Sequence, residues 1–410
     1  MGHEVLTCGY AEHLTVKVPQ RINCVEDILK NLGNFSPDVL VFLDDSMPAL
    51  LYEGLNTCSI PKVFYSVDTH HHNQVHALIA PLFDHILVAQ KDYIPTFAES
   101  GTPTTWFPLW ASRYVEASSE KKFGATFVGN MDAKLNPRRV AFFEALQKKI
   151  PIHIAHGNYW EIFPHADIVV NQTVKGDLNF RVFEAMMCGP ALLTERTPNG
   201  LFDLFEDGKH LVTYEPDNVD EAAEKVTRLL NSPREMAEIA YAGRQEILAH
   251  HTSHHRARQL DAILRNLSTR PVDPERHYIS MMNSALINTL AQKRNMEPCV
   301  HAACAALKAT QFALLEGFGP NAMQTHYLIS ACNIFDRLTK SEMGESIIET
   351  FHNRLPRNPL LSLAHIRNLL NKGRRVEAEK VAIGLSGLDP ARTFTLAEEA
   401  VSKIMTGDWR

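Results

Sequence analysis

The chain has 410 residues, 45% of them hydrophobic, enough to bury two or three domain cores. Its formal charge of -6, from 41 basic and 47 acidic residues, excludes a general nucleic-acid binder, whose affinity rests on neutralising phosphates. Seven cysteines, at positions 8, 24, 58, 188, 299, 304 and 332, form no CxxC pair and no zinc spacing, which argues against a disulfide framework and suits reduced thiols in the cytoplasm.

At the N-terminus no basic region precedes an apolar core, and no apolar run anywhere approaches the roughly 20 residues that span a bilayer. No transmembrane segment is expected, and any membrane attachment would be peripheral. Val39 to Leu43, Lys62 to Val67, His85 to Ala89 and Thr104 to Phe107 read as strands. Helical stretches around Val25 to Leu32, Asn73 to Leu82 and Tyr93 to Ser100 alternate with them, the pattern of a parallel α/β sheet.

Directly after the second of these strands comes Asp68-Thr69-His70-His71-His72. A strand end aims such a cluster at a cleft, where a histidine can act as general base or hold a hydroxyl or phosphate oxygen while a carboxylate orients it. If the segment stays extended, His70 and His72 share one direction; if a helix starts here, His72 pairs with His76 instead. Zinc is the competing reading of three histidines, but no further Cys or carboxylate stands at ligand spacing.

From Ala111 to Lys122 the sequence turns polar and irregular, a linker, and Phe123 to Val128 resumes as a strand ending in Gly129-Asn130. Pro137 opens a helix to Lys149, Ile152 to Ala155 is a strand ending at His156-Gly157, and Ile168 to Asn171 is another. Parallel sheets bind ligands outside the carboxyl ends of their strands, so Gly129, Asn130, Gly157 and Asn171 point into one crevice. Arg138 and Arg139, just inside the helix after Gly129, are either phosphate contacts or solvated surface residues.

The densest segment is Val174 to Glu195, VKGDLNFRVFEAMMCGPALLTE. Asp177 reads as a helix N-cap, so the turn after it offers free N–H groups and the positive dipole end to a phosphate, and Gly176 lets a ligand approach the backbone. Arg181 and Glu184 share a helix face, where the guanidinium can fork onto a diphosphate and the carboxylate can accept from ribose hydroxyls. Gly189 suits a left-handed C-cap, Pro190 stops the helix, and Ala191 to Thr194 reads as a buried strand. Further on, His250, His251, His254 and His255 stand four apart in pairs without an intervening glutamate, so they read as lining a long helix rather than as a metal site.

The run NFRVFEAMMCGPALLTE, followed by LFDLFEDGKHLVTY, SPREMAEIAYAGRQEIL and HHTSHHRARQL, resembles the C-terminal half of GT-B glycosyltransferases, specifically the spore-maturation-protein-like (CgeB-type) group related to glycosyltransferase family 4. The likeness covers residues 60 to 265. It implies an α/β fold of two Rossmann-like domains, 1–115 on the acceptor side and 116–268 on the nucleotide-sugar side, the latter ending in a crossover helix. Gly2-His3-Glu4-Val5 is similar to the second strand of such N-domains, as though the first strand and helix were missing. In related retaining enzymes the donor helix carries two glutamates separated by seven residues; Glu184 matches the second, which binds the donor ribose, and the first falls at Gly176, where Asp177 is the neighbouring substitute. The donor site so implied comprises Gly129, Asn130, Arg138, Asn171, Lys175, Asp177, Asn179, Arg181 and Glu184, and the catalytic cluster is Asp68, His70 and His72.

No Asp-x-Asp pair occurs, which predicts a metal-independent reaction without cofactor: Arg181, with Lys175 or Arg138 and the helix N-terminus, would stabilise the leaving diphosphate. After Pro271 the chain reads as all-α over 275–410. Asn358 to Pro390 is similar to a tetratricopeptide (TPR) unit, with Gly373 at its turn, Ala378 on its second helix and Pro390 closing it, and 320–356 is a degenerate neighbour. Such stacked helices either present a concave surface to a protein partner or merely pack on the catalytic domains. The expected activity is sugar transfer from a UDP-, GDP- or dTDP-linked donor to a protein or glycan acceptor. A nucleotide-sugar epimerase of the same fold and a non-catalytic scaffold are the alternatives.

Overall fold

A computed structural model of the chain describes residues 2–9, 11–17, 22–44, 51–55, 58–270 and 322–385. Its first part holds β1 (Cys8–Gly9), β2 (Val16–Lys17), β3 (Ile22–Cys24), α1 (Val25–Lys30), β4 (Leu40–Leu43), β5 (Leu51–Glu53), β6 (Lys62–Ser66), α2 (Thr69–Ile79), β7 (His85–Val88) and β8 (Thr104–Trp106). β4, β6, β7 and β8 form a parallel sheet in that order, and β1 pairs with β2 and β3 with β5, also in parallel. All five residues of β6 are buried, because a parallel sheet is covered on both faces by its crossover segments. The helix expected from Asn73 begins earlier, at Thr69, so the histidine cluster is the first turn of α2. The segment Gly2 to Val5 forms no strand, contrary to expectation; its His3 instead hydrogen-bonds Asp261.

The second part comprises β9 (Phe123–Val128), α3 (Pro137–Gln147), β10 (His153–Ala155), α4 (Tyr159–Ile162), β11 (Ala166–Asn171), α5 (Phe180–Cys188), β12 (Ala191–Glu195), α6 (Leu201–Leu204), β13 (Val212–Tyr214), α7 (Val219–Leu230), α8 (Pro233–His250) and α9 (Ser253–Arg265). Its five-stranded sheet is wholly parallel in the order β10-β9-β11-β12-β13. α5 ends as the sequence dictates: Gly189 adopts φ 95, a left-handed conformation that side chains resist, and Pro190 follows.

One apolar cluster joins the two sheets. Val63, Tyr65, Leu87 and Phe107 from the first pack with Val128, Val169, Val182 and Phe183 of the second, all nearly or fully buried. Complete burial of such side chains contributes ~1.5–3 kcal/mol each. The chain crosses between the sheets twice at one place: the Ala111 N–H donates to the His251 carbonyl at 2.9 Å, and Ala111 bridges Thr252. Arg256, itself buried, ties the crossings by donating to the carbonyls of Pro108 at 2.7 Å and Leu109 at 3.3 Å. The four histidines at 250–255 occupy this return, where His251 is buried edge-on against Phe183 and Phe205.

Residues 322–385 are helical: α10 (Ala322–Thr339), α11 (Met343–Arg354), α12 (Pro359–Asn371) and α13 (Arg375–Gly384), each packed on the next. Gly373 turns α12 into α13 at φ 71, and Ala378 is buried on α13, as the repeat-like spacing predicts. Pro390, residues 320–321 and the stretch 275–319 of the expected helical region lie outside the described residues. Among the described residues no helix is long and apolar enough to cross a membrane.

Candidate functional site

The carboxyl ends of β9, β11 and β12 converge on a polar knot. Arg181, in the first turn of α5, points back toward the sheet: its Nε donates to the Val128 carbonyl at 2.9 Å and its Nη1 to Asn171 Oδ1 at 2.8 Å. The guanidinium lies 4.5 Å over the Phe127 ring, whose other neighbour is the Arg139 guanidinium at 5.5 Å. Two donors of the expected fork are thus held by the protein, and Nη2, beside Gly129, has no acceptor among the described residues. Burial, and then the repulsion of Arg139, lowers its pKa to about 10, so the cation persists at neutral pH. A Cβ on Gly129 would fall 2.6 Å from Nη2 and 2.7 Å from Phe127 Cζ, so this glycine makes room for Arg181 itself.

Asp177 is not the N-cap. Lys175 and Gly176 adopt φ 54 and 74, which folds the chain back before the helix; the buried Asp177 carboxylate closes that turn by accepting the Val174 N–H at 2.5 Å. Burial raises its pKa to about 6 against the pull of the Val174 amide and Arg181. Asn179 takes the N-cap position with extended backbone but no side-chain cap. Its carboxamide nitrogen and oxygen are shielded from solvent, and neither reaches hydrogen-bond geometry, although the amide stands beside Asp177.

Glu184 lies three residues further along α5, half-buried, with no hydrogen bond or ion pair among the described residues. Burial pushes its pKa up to about 7, opposed by Arg181. Asn171 is fully used: besides accepting from Arg181 it donates to Thr194 Oγ1 at 3.0 Å, and its carbonyl accepts the Tyr214 hydroxyl at 2.8 Å. Asn130 serves a local turn, accepting the Asp132 N–H at 2.8 Å.

Arg138 meets carboxylates. It ion-pairs with Glu195, donates to Asp217 at 2.7 and 2.9 Å, and reaches the Thr173 carbonyl at 3.2 Å. Glu195 is wholly buried at the end of β12 and also accepts the N–H of Thr173 and Asp217, each at 3.0 Å, and the Thr173 hydroxyl at 2.5 Å. Arg138 and Glu195 thereby pin the loop that carries Lys175.

The first sheet clasps the same loop. Gln90, just past β7, accepts the Leu178 N–H at 2.8 Å and donates to its carbonyl at 3.4 Å, both buried. Asn199 donates to the Gly176 carbonyl at 2.8 Å and accepts the Asp92 N–H at 3.3 Å, and Thr197 donates to the same Gly176 carbonyl. Across this junction His70 stands near Lys175. It is 8% exposed, and its Nδ1 has no hydrogen-bond partner. Burial lowers its pKa to about 4; Asp68 opposes this, and Lys175 and His72 add to it. His71, exposed at the rim, is lowered by burial and by His70 and Lys175. His72 sits at a kink, φ -131 and ψ 18, with its ring 5.8 Å from that of His76, the helical alternative weighed from the sequence. Asp68 precedes the helix, and its N–H donates to Asp44 at 2.8 Å.

The structure therefore brings together Asp68, His70 and Lys175 across the two sheets, and Arg181, Asn179, Asp177 and Glu184 along one loop and helix. It commits Arg138, Asn130 and Asn171 to protein partners. Sequence reasoning missed Gln90 and Glu195. Gln90 follows an apolar strand as Asp68 does, and Glu195 is a carboxylate ending an otherwise apolar strand, so both carried a usable signal.

The structure thus sets two parallel α/β sheets about one loop, which carries Lys175 and leads into the helix of Arg181, the strand-end position at which open α/β sheets hold ligands. Residues 113–262 match the sequence family described as glycosyl transferase-like, so the chain carries a glycosyltransferase family domain. No curated protein matches the sequence. Among solved structures the chain is similar to Anabaena HepE in complex with UDP and glucose, at 12% identity over 56% of this chain and 78% of that one, TM-score 0.44. It is also similar to sucrose-phosphate synthase from Thermosynechococcus elongatus, at 11% identity over 50% and 67%, TM-score 0.41. A third is the pneumococcal O-GlcNAc transferase GtfA in complex with UDP and GlcNAc, at 11% over 50% and 52%, TM-score 0.38.

Proposed function

We propose that the chain is a GT-B glycosyltransferase of the CgeB-type group that moves a sugar from a nucleotide donor to an acceptor without a divalent metal. The observation that carries this reading is the meeting of a buried, unpartnered His70 from one sheet with Lys175 on the loop that leads into the arginine-bearing helix of the other.

In this reading the pyrophosphate lies along residues 174–179. Lys175 and the unsatisfied Nη2 of Arg181 neutralise it, and the Asn179 amide supplies a donor that the protein leaves unused. Charge grows on the diphosphate as the glycosidic bond breaks, and cations fixed in a partly dry site stabilise it without reorganisation. Glu184, lacking any protein partner, accepts from the ribose hydroxyls. His70, neutral because burial holds its pKa near 4, hydrogen-bonds a diphosphate oxygen beside Lys175 through Nδ1, with Asp68 beside it. The helical region 322–385 serves as a TPR-like platform for an acceptor protein.

UDP, present in the HepE and GtfA complexes, is the first ligand to test, with GDP and dTDP beside it. Isothermal titration of the full chain, with and without EDTA, is expected to show binding of at least one of the three, unaffected by the chelator. Slow release of free sugar from the matching nucleotide sugar would separate a transferase from an epimerase. Absence of binding to all three would overturn the reading.

A further inference from the structure

Beneath the histidine turn lies a hydrogen-bonded chain that the proposed chemistry does not use. Ser66, the last residue of β6, is fully buried; its Oγ is 2.7 Å from Thr69 Oγ1 and 2.8 Å from His76 Nδ1. The Thr69 hydroxyl also lies 3.0 Å from the Ser66 carbonyl, so Ser66, Thr69 and His76 form one continuous hydrogen-bonded chain. On its other side His76 faces the buried Asp44 carboxylate, Nε2 to Oδ2 at 3.9 Å. Asp44 in turn accepts the Asp68 N–H at 2.8 Å.

The chain therefore anchors both edges of one helical turn. Asp44 holds the residue before it, Thr69 opens it against the end of β6, and His76 grips the same serine from lower in the helix. His70 sits inside that turn, and the kink at His72 follows. Ser66, Thr69 and His76 are each 1% exposed or less, and His76 also packs edge-on to Phe64 at 5.0 Å, so the bracket has little freedom to shift.

We infer that the Ser66–His76 pair is a positioning device: it holds the first turn of α2 so that His70 faces Lys175 across the sheets, and so sets the grip on the diphosphate end of a nucleotide. This rests on the proposed nucleotide site.

A double-mutant cycle tests it, reading UDP affinity by titration calorimetry on the full chain. His70→Ala and Ser66→Ala are each expected to weaken UDP binding about fivefold, the worth of one hydrogen bond. The double variant should be no weaker than His70→Ala within about twofold, because a positioning residue has nothing left to position. His76→Asn, which keeps a hydrogen-bonding group where Nδ1 stood, should stay within about twofold of wild type, while His76→Leu should match Ser66→Ala; the two histidine variants thus carry the test by themselves if the serine variant fails to fold. The inference is overturned if Ser66→Ala weakens binding equally with and without His70, or if it and His76→Leu have no effect while His70→Ala does. Loss of UDP binding in neither His70→Ala nor Ser66→Ala would instead remove His70 from the site.

Discussion

Glu184 offers the sharpest test, because the free protein bears a cost there that only a ligand relieves. The carboxyl is half-buried, lacks a partner and titrates at about 7 instead of 4.5. At ~1.4 kcal/mol for each tenfold change in proton affinity, that gap amounts to about 3 kcal/mol; residual exposure screens it toward ~2. The sign follows from proton uptake. Between pH 4.5 and 7 the folded state binds the proton and the unfolded state releases it, so stability falls as pH rises through this window and levels off above. Glu184→Gln removes the titration. It is expected to be more stable than wild type by ~2–3 kcal/mol at pH 8 and by less than ~1 kcal/mol at pH 5, measured by urea denaturation without ligand. The same variant should bind UDP more than tenfold more weakly at pH 8, since a charged hydrogen bond to the ribose is worth ~1.5–3 kcal/mol. A variant no more stable than wild type at pH 8, or one that binds UDP equally well, refutes the reasoning.

Three other perturbations probe the surrounding architecture. Gly129→Ala places a methyl 2.6 Å from Arg181 Nη2, so it should cost ~1–3 kcal/mol in urea denaturation and weaken UDP binding by displacing the guanidinium. Gln90→Leu strands the buried Leu178 N–H and carbonyl and should lower stability by ~1–3 kcal/mol, with the loss absent if the two sheets do not meet at this loop. Glu195→Leu leaves Asp217 as the one carboxylate paired with Arg138 among the described residues and the Thr173 amide unsatisfied; it should cost ~3–5 kcal/mol, and a far smaller loss would mean that the buried carboxylate holds nothing.

Strands β4 and β6 to β12 were legible, while β1, β2, β3, β5 and β13, each two or three residues long, were not: a run such as KVFYS or ALLTE is buried on both faces and needs only apolar length to declare itself. Helix starts were harder. Asp177 has the composition of an N-cap, yet the left-handed backbone at Lys175 and Gly176 spends its carboxylate on the turn before the helix, and only backbone dihedrals reveal that. Val5 and its neighbours have a strand's apolar content but no partner strand, and pairing is a tertiary property.

The site divided along the same line. Residue types at strand ends were found from the sequence; what each one touches was not, because the partners lie far away along the chain. Arg138 and Arg181 look alike in the sequence, each near a helix start. The difference is made by Glu195, 57 residues beyond Arg138, whose burial at the end of β12 demands a counter-charge and claims Arg138 for it. Arg181 hydrogen-bonds only the neutral oxygens of Val128 and Asn171, and the two carboxylates that attract it, Glu184 and Asp177, do not bond it and are themselves pushed toward neutrality by burial. A cation that no carboxylate hydrogen-bonds is the property an incoming diphosphate can complete, and it singles out Arg181, together with Lys175, as the charge that a nucleotide would meet.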